Sequence, residues 1–384
     1  MPTAIQFMTS PSPTSWDFPF QRPLLPAVGA WSPWLDRAYA DHWFSNNGQL
    51  ALTLEAQLSA RCGRAVSLAC NGTAAITAAL LALNRRGLVV LPSFTFPATL
   101  SAVQQAGLQP VLADVDAQTW ELDVPSVEAA LAGVTEPVAA VLGVRVFGLC
   151  RDHDPLSRWC RERDIPLVLD SAAALGGRLA DGRPAGSEGT METFSMHATK
   201  VFAVGEGGAI ACDAQWMPAL RRVMNFGLEK GDLLDSGFNG KMSEVVAAIG
   251  LAQDAVLDAQ LDVRRTAAQR YMAFFASEAP QWTVAAQPGD PPWQGFPVLA
   301  PDEAEATRLL DACAERGVQL RRYYRPALHT AATASRYARG PLPVSASLAQ
   351  RMLCLPMYSD LSAEEQARLL GRVADALQAI GPVG

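Results

Sequence analysis

Lys200 is the only lysine in METFSMHATKVFAVGEGGAI, residues 191–210, where it stands among apolar residues with hydroxyls at Ser195 and Thr199 before it and Glu206-Gly207-Gly208 after it. An amine desolvated by such neighbours loses part of its preference for the ammonium form and becomes a usable nucleophile toward an aldehyde. The alternative is a solvated lysine on a turn, the common state of this residue type. A second segment, PLVLDSAAALGG over residues 166–177, delivers Asp170 at the end of an apolar run that reads as a buried strand. Ligands of open parallel sheets bind at the carboxyl ends of strands, so an acid there reads as a site group, or else as a helix N-cap.

A Schiff-base lysine together with an acid able to pair with a pyridinium nitrogen is the minimum kit for pyridoxal phosphate chemistry. A phosphate site is the next requirement. In SLACNGTAAITAALLAL, residues 67–83, a short strand passes through Asn71-Gly72-Thr73 into a helix. Gly72 and Thr73 sit where the first N–H groups of that helix are unpaired and can bind an anion, although an ordinary cap has the same sequence. PSFTFP then places Phe94 and Phe96 after a strand, where one of them could cover a flat ring or both could be core. Asn46-Asn47-Gly48 is a turn signal that a substrate could also touch.

The elements that must position these groups alternate. Apolar strands at residues 88–91, 111–115, 139–144, 166–170 and 208–212 are separated by helical stretches near 124–131 and 155–163. This spacing predicts an α/β fold, a mostly parallel sheet between helices. A helical pattern then runs over residues 243–276, with Val245, Ile249, Ala252, Val256 and Val263 as its apolar face. The loop QPGDPPWQGFP, residues 287–297, opens a smaller α+β unit with helices near 301–316 and 364–380. The expected division is a loose leader over 1–17, a large domain over 18–255 and a small domain over 256–384.

Composition narrows the function. The 384 residues suffice for two real cores, and 49% of them are hydrophobic. With 31 basic against 38 acidic residues and no basic block, a nucleic-acid surface is not expected. Seven cysteines without a Cys-x-x-Cys pair argue against a disulfide framework and a zinc site and for a reducing cytoplasm. Four histidines show no metal-ligand spacing, so no metal is expected. No apolar run approaches the ~20 residues that span a bilayer, and the first residues lack the basic start and apolar core of a signal peptide.

Taken in order, NGTAA at Asn71, PSFTFPAT at Pro92, the Asp170 segment, FSMHATK ending at Lys200, GEGGAI at Gly205, GFNGKMSE at Gly237 and LPMYSDLS at Leu355 resemble the DegT/DnrJ/EryC1/StrS sugar aminotransferases. That family is a branch of the fold-type-I pyridoxal phosphate enzymes. The resemblance implies an aspartate-aminotransferase-like large domain and a homodimer with active sites shared between subunits. It implies that Lys200 binds the cofactor aldehyde covalently, that Asp170 pairs with the ring nitrogen, and that Phe96 and Ala172 cover the two ring faces. Gly72, Thr73 and Ser195 would hold the phosphate, with Asn239 reaching it from the second subunit. The cofactor is then pyridoxal 5'-phosphate, passing through pyridoxamine 5'-phosphate, and the substrates are an amino donor, by family habit L-glutamate, and a keto sugar linked to a nucleotide.

Two positions depart from the family pattern. Ala173 stands where members commonly carry Gln or His against the cofactor's phenolic oxygen, and Asn239-Gly240-Lys241 replaces a frequent Asn-Tyr-Arg. Lys241, a point charge, cannot match a bidentate Arg. Asn47, Lys241, Tyr323, its neighbour Tyr324 and His329 are the candidates for substrate contact. Rival readings are a transaminase for a cyclitol or other ketone, a sugar dehydratase and a non-catalytic regulator. Related dehydratases have His where this chain has Lys200, and a regulator has no need of Lys200, Asp170 and the phosphate loop together.

Overall fold

The computed structural model describes residues 16–286 and 289–381. Most of the expected leader over 1–17, and Gln287 and Pro288 of the expected loop, lie outside the described residues.

The strands β1 (Ala65–Ala69), β2 (Leu88–Pro92), β3 (Gln109–Ala113), β4 (Val138–Val144), β5 (Leu167–Asp170), β6 (Met191–Ser195) and β7 (Gly208–Cys212) form one sheet in the order β1-β7-β6-β5-β4-β2-β3. Only β7 runs antiparallel to its neighbours. Both faces are covered, which is why these strands read as continuous apolar runs rather than alternating ones. Val89 and Leu91 point into one core, with the helices Gly72–Ala82, Pro97–Gln105 and Met217–Val223. Leu88 and Val90 point into another, with Val127, Leu156 and Trp159 of the helices Val124–Ala130 and Asp154–Glu162. The helices Gln49–Cys62 and Glu244–Asp254 cover β1 and β7 on that second side.

A two-stranded ribbon, β8 (Leu228–Glu229) with β9 (Asp232–Leu233), follows the large sheet. The C-terminal unit is an antiparallel sheet, β10 (Thr283–Val284), β11 (Phe296–Leu299) and β12 (Met352–Leu355), with the helices Glu303–Glu315, Pro343–Arg351 and Ala363–Ile380. Phe18 and Phe20, assigned by the sequence division to the large domain, lie in the core of this C-terminal unit, and Phe18 pairs with Val318.

The helical pattern over 243–276 is two helices, Glu244–Asp254 and Leu257–Glu278, not one. At the join, the buried amide of Gln253 donates to Val201 O at 3.2 Å and to Gln260 Oε1 at 2.7 Å, and Val256 N takes a tighter bond to Gln253 O. The turn rotates the apolar face, so Val245 and Val256 are exposed while Ala247, Leu251, Leu257, Leu261, Tyr271 and Phe275 are buried. Residues 18–50, rich in Pro and Trp, hold a further helix, Val28–Asp41, whose periodicity Pro33 disguises.

Beneath the carboxyl ends of β4, β5 and β6 lies a buried charge network. Arg145 Nε donates to Glu192 Oε1 at 2.8 Å, its other nitrogens engage Glu188 and the carbonyl of Arg151, and Ser171 Oγ donates to the same Glu192 oxygen at 2.6 Å. Burial opposes ionisation of Glu188, but hydrogen bonding from His153 and the charges of Arg145 and His153 overcome it and lower its pKa to about 2. The main chain of Arg145 also donates to Asp170 O at 3.0 Å, so the network fixes the strand end that presents the acid. Removing one member of such a set leaves uncompensated buried charge. Arg145→Met is therefore expected to destabilise the fold by about 3–5 kcal/mol, seen as a lowered midpoint in urea unfolding; an unchanged midpoint would show that the network is dispensable.

Candidate active site

The carboxyl ends of the parallel strands open into a cleft of about 1690 Å³. Lys200, Asp170, Gly72, Thr73, Phe96, Ala172, Ser195 and Tyr323, separated by up to 251 positions in sequence (323 minus 72), all line it. Each arrives for a local reason. Asp170 is the last residue of β5, and Ser195 the last of β6. Gly72 opens its helix directly after β1, with Asn71 Oδ1 capping Ala74 N at 2.8 Å and leaving the first two helical N–H groups free for a ligand.

Close approach explains the glycines around that helix start. A Cβ on Gly72 would meet Ser195 Cβ at 2.7 Å, and one on Gly208 would meet Asn71 O at 2.5 Å. Small residues here let the end of β6, the start of β7 and the helix N-terminus converge. The result is a cradle of N–H groups and one hydroxyl, the donor set that suits a phosphate.

Asp170 is buried, and burial pushes its carboxyl pKa up. Two donors oppose that rise: Thr99 Oγ1 donates to Oδ2 at 2.7 Å and Ala172 N to Oδ1 at 3.1 Å, while Thr95 and Thr99 hydroxyls meet at 2.9 Å. The Lys200 ammonium adds a smaller opposing effect. Lys200 shows the complementary behaviour. Burial lowers its pKa to about 8, and the Asp170 carboxylate only partly restores it. Its Nζ donates to Gln294 Oε1 at 3.0 Å. The cleft thus holds an amine whose pKa is brought down to about 8 and an acid with raised proton affinity.

Among the other sequence candidates, Asn47, His329, Asn239 and Lys241 do not line the cleft of this chain. Asn47 has φ +57° and accepts from Arg221 Nη1 at 2.7 Å, without lining the cleft. His329 is tied to Ser93, its Nδ1 2.6 Å from the hydroxyl, and Leu328 rather than the imidazole faces the cleft. Asn239 is exposed, with Gly237 and Phe238 lining the cleft beside it, and Lys241 Nζ donates to Asn225 Oδ1 at 3.1 Å over the Phe226 ring. Tyr324 lines the cleft with Tyr323 and stacks on Phe147, ring centroids 5.4 Å apart. Ala173 lines the cleft, and its carbonyl oxygen lies against Gly148, where a Cβ would meet it at 2.3 Å.

Thr99 and Gln294 were not among the sequence candidates. Thr95 and Thr99, four apart at a helix start, carried a signal, but their target was visible only once Asp170 was placed beside them. Gln294 had none, being a lone amide in a loop of Pro and Gly.

A doubly covered parallel sheet with a desolvated lysine, a buried acid and a helix N-terminus at one edge defines a fold-type-I pyridoxal phosphate enzyme. The family model described as the DegT/DnrJ/EryC1/StrS aminotransferase family matches residues 34–374. Protein MT3510 of Mycobacterium tuberculosis is 31% identical over 373 residues, covering 93% of this chain and 90% of that protein. The dTDP-4-amino-4,6-dideoxy-D-glucose transaminase of Shigella dysenteriae is 29% identical over 351 residues, covering 89% and 94%. The crystal structure of DesI in the presence of its TDP-sugar product superposes with a TM-score of 0.86 at 33% identity, covering 95% of this chain and 94% of that one. The chain belongs to the DegT/DnrJ/EryC1/StrS aminotransferase family, and it is a pyridoxal phosphate-dependent aminotransferase.

The residues present fit that cofactor: a reactive amine, a buried acid and a phosphate cradle share one cleft. Because the cradle has no room for another carbon, Gly72→Ala must push Ser195 aside, at a cost of about 1–3 kcal/mol for overpacking. Cofactor affinity should fall by about 5- to 150-fold in an equilibrium titration of the apo chain. Unchanged affinity would move the phosphate site away from this helix.

Proposed function

We propose that the chain transfers an amino group from an amino acid, with L-glutamate as donor, to the keto carbon of a nucleotide-linked sugar in a ping-pong cycle. The observation that carries the reading is the joint burial of Lys200 and Asp170 in a cleft that also holds a phosphate cradle. Pyridoxal phosphate, when bound, supplies an electron-withdrawing ring that delocalises the charge left as the donor's Cα proton departs. Asp170, held in orientation by Thr99 and Ala172, would pair with the ring nitrogen and keep a proton there. Lys200 would hold the cofactor covalently, and its amine, when free, would take the donor's Cα proton and deliver a proton to the sugar carbon being aminated. Gly72, Thr73 and Ser195 hold the phosphate, and Phe96 and Ala172 flank the ring.

Three features support a phosphorylated sugar substrate. The cleft's volume of about 1690 Å³ exceeds what a small keto acid needs. Arg321, Arg322, Arg325 and Arg336 line it in a chain of net charge -7, a local concentration of cations suited to a diphosphate. The relatives also include an enzyme named for a dTDP-linked sugar. Tyr323 is the aromatic group available for the sugar or base. Purified protein with glutamate should aminate at least one member of a panel of nucleotide-linked 4-keto and 3-keto sugars, and Lys200→Ala should lose both the turnover and the cofactor absorbance expected at roughly 410–430 nm. Amination of a cyclitol ketone alone would leave the transaminase and remove the nucleotide-sugar assignment.

The reading includes a homodimer with shared sites. Trp34, Tyr39, Trp43 and Phe44 are exposed near the N-terminus, as are Phe226, Leu228, Leu233 and Leu234 around the β8–β9 ribbon, an apolar surface of the kind that association covers. Asn239 and Lys241 follow that ribbon in the chain, and in a dimer with shared sites they and Asn47 would contribute to the neighbouring subunit's cleft. Co-expressed Lys200→Ala and Asn239→Ala chains, each inactive alone, should recover activity through mixed dimers that contain one intact site. Absence of recovery in verified mixed dimers would confine the site to one subunit. The seven cysteines are free thiols, six of them buried, which fits a reducing cytoplasm; among the described residues no helix is long and apolar enough to cross a membrane.

A further inference from the structure

We infer that Gln294 is a positioning residue for Lys200: its side-chain carbonyl receives the lysine nitrogen whenever that amine is free and thereby tunes how readily the amine gives up its proton. The inference rests on the reading of Lys200 as the residue that captures the cofactor.

The contact is direct, Nζ to Oε1 at 3.0 Å, and joins two parts of the fold. Lys200 follows β6 of the large sheet, whereas Gln294 lies two residues before β11 of the C-terminal unit. An ammonium has three donors and no acceptor, so the amide must turn its oxygen, not its nitrogen, toward the charged form. A hydrogen bond to a charged donor is stronger than the same bond to a neutral amine, so the carbonyl favours the protonated state.

Gln294 is itself clamped. Arg264, buried on the helix Leu257–Glu278, donates through Nη1 to Trp293 O at 2.8 Å and Gln294 O at 3.4 Å, and through Nε to Ser359 Oγ at 2.9 Å. No carboxylate is paired with it among the described ion pairs, so this guanidinium spends its donors on one loop and one hydroxyl. Trp293 takes a left-handed φ of +53° and stacks on Phe296, 5.5 Å between centroids. Main chain and neighbouring ring together aim the amide at Nζ. Gln294 and Lys200 line both the cleft and a small second cavity behind it, where Arg264 also lies.

Other ionisable groups line the two cavities with the amine: Asp170 from β5, His197 and Glu206 from the flanking loop, Arg145 after β4, Arg264 from the helix behind, and Arg321, Arg322, Tyr323, Tyr324, Arg325 and Arg336 from the C-terminal unit. Asp170 is the charged group that acts on Lys200. Arg22, in the small cavity, is neutralised by Asp360 and Glu365, and Arg145 by Glu188 and Glu192. Gln294 is the neutral member of the set that bonds Nζ, so its substitution changes the amine's environment without changing the other pairings.

The test measures how fast the full-length apo chain captures pyridoxal phosphate covalently, by absorbance, across pH 6 to about 10, the range spanning the shifted and ordinary lysine pKa. In the wild type the rate should rise with pH and level off above a midpoint near about 8. Gln294→Met keeps the length and removes the acceptor, which should move the midpoint down. Gln294→Glu keeps the length and adds negative charge, which should move it up; each displacement should be about half a pH unit or more, the size of one hydrogen bond. Gln294→Ala, which cannot overpack, repeats the first arm if the Met variant misfolds. Opposite displacements support the inference, because a space-filling role would move both midpoints alike or neither. Two unmoved or co-moving midpoints beside a wild type that captures the cofactor would overturn it. A wild type that captures none would overturn the Lys200 reading first and this inference with it.

Discussion

Everything in the cleft follows from one electrostatic constraint: a base and an acid are buried together, and neither is given a full-strength partner. Lys200 is desolvated enough for its pKa to fall to about 8. Asp170 is desolvated enough to hold one more tightly than an exposed carboxylate. A tight ion pair between them would have fixed both charges and removed their chemistry. Neutral hydrogen-bonding groups do the orienting instead: Thr99 and the Ala172 amide on the acid, Gln294 on the amine. Such bonds carry direction while leaving the proton free to move.

That constraint demands a rigid frame, because uncompensated groups in a cavity hold their places only if the backbone does so. The frame is the carboxyl edge of a sheet covered on both faces, so that the strand ends cannot shift without opening two cores. Strong charges are used here, away from the chemistry, in Arg145 with Glu188 and Glu192, whose bonds run to β6 and to Ser171. The same edge is drawn together by missing side chains: Gly72 lies against Ser195 and Gly208 against Asn71. Charge locks the acid's side of the edge, and close packing locks the phosphate's side.

What the sequence made legible tracks how local each requirement is. Most of the parallel strands were readable because burial on both faces leaves an apolar run, Asp170 and Gly72 because each follows such a run, and Lys200 because it is a lone amine among apolar residues; β6, with Glu192 and Thr193 inside it, was not. The division of residues 243–276 was not, since it depends on Gln253 reaching Val201, 52 positions away. Nor was the helix Val28–Asp41, whose composition follows a surface that a second subunit is proposed to cover rather than the packing within one chain. Thr99 and Gln294 act through partners 71 and 94 positions distant, and no short pattern encodes such a contact. His329 shows the opposite limit: within this chain a polar residue in a suggestive position is already engaged by Ser93.

The division of labour between the two units bears on how one site can serve two dissimilar substrates. The amine, the acid and the phosphate cradle, to which the proposal gives a part in both halves of the transfer, all stand on the large sheet's edge. Tyr323, Tyr324 and the cleft's Arg321, Arg322, Arg325 and Arg336 belong to the stretch between β11 and β12 of the C-terminal unit. Residues that contact only one substrate can therefore change without disturbing the buried frame, because a loop on the small unit has no stake in the large sheet's cores. Gln294 is the exception, a side chain of the small unit bonded to the amine itself. A displacement of that unit would be felt directly at Nζ, and if Gln294 acts as inferred, the proton affinity of Lys200 depends on both units.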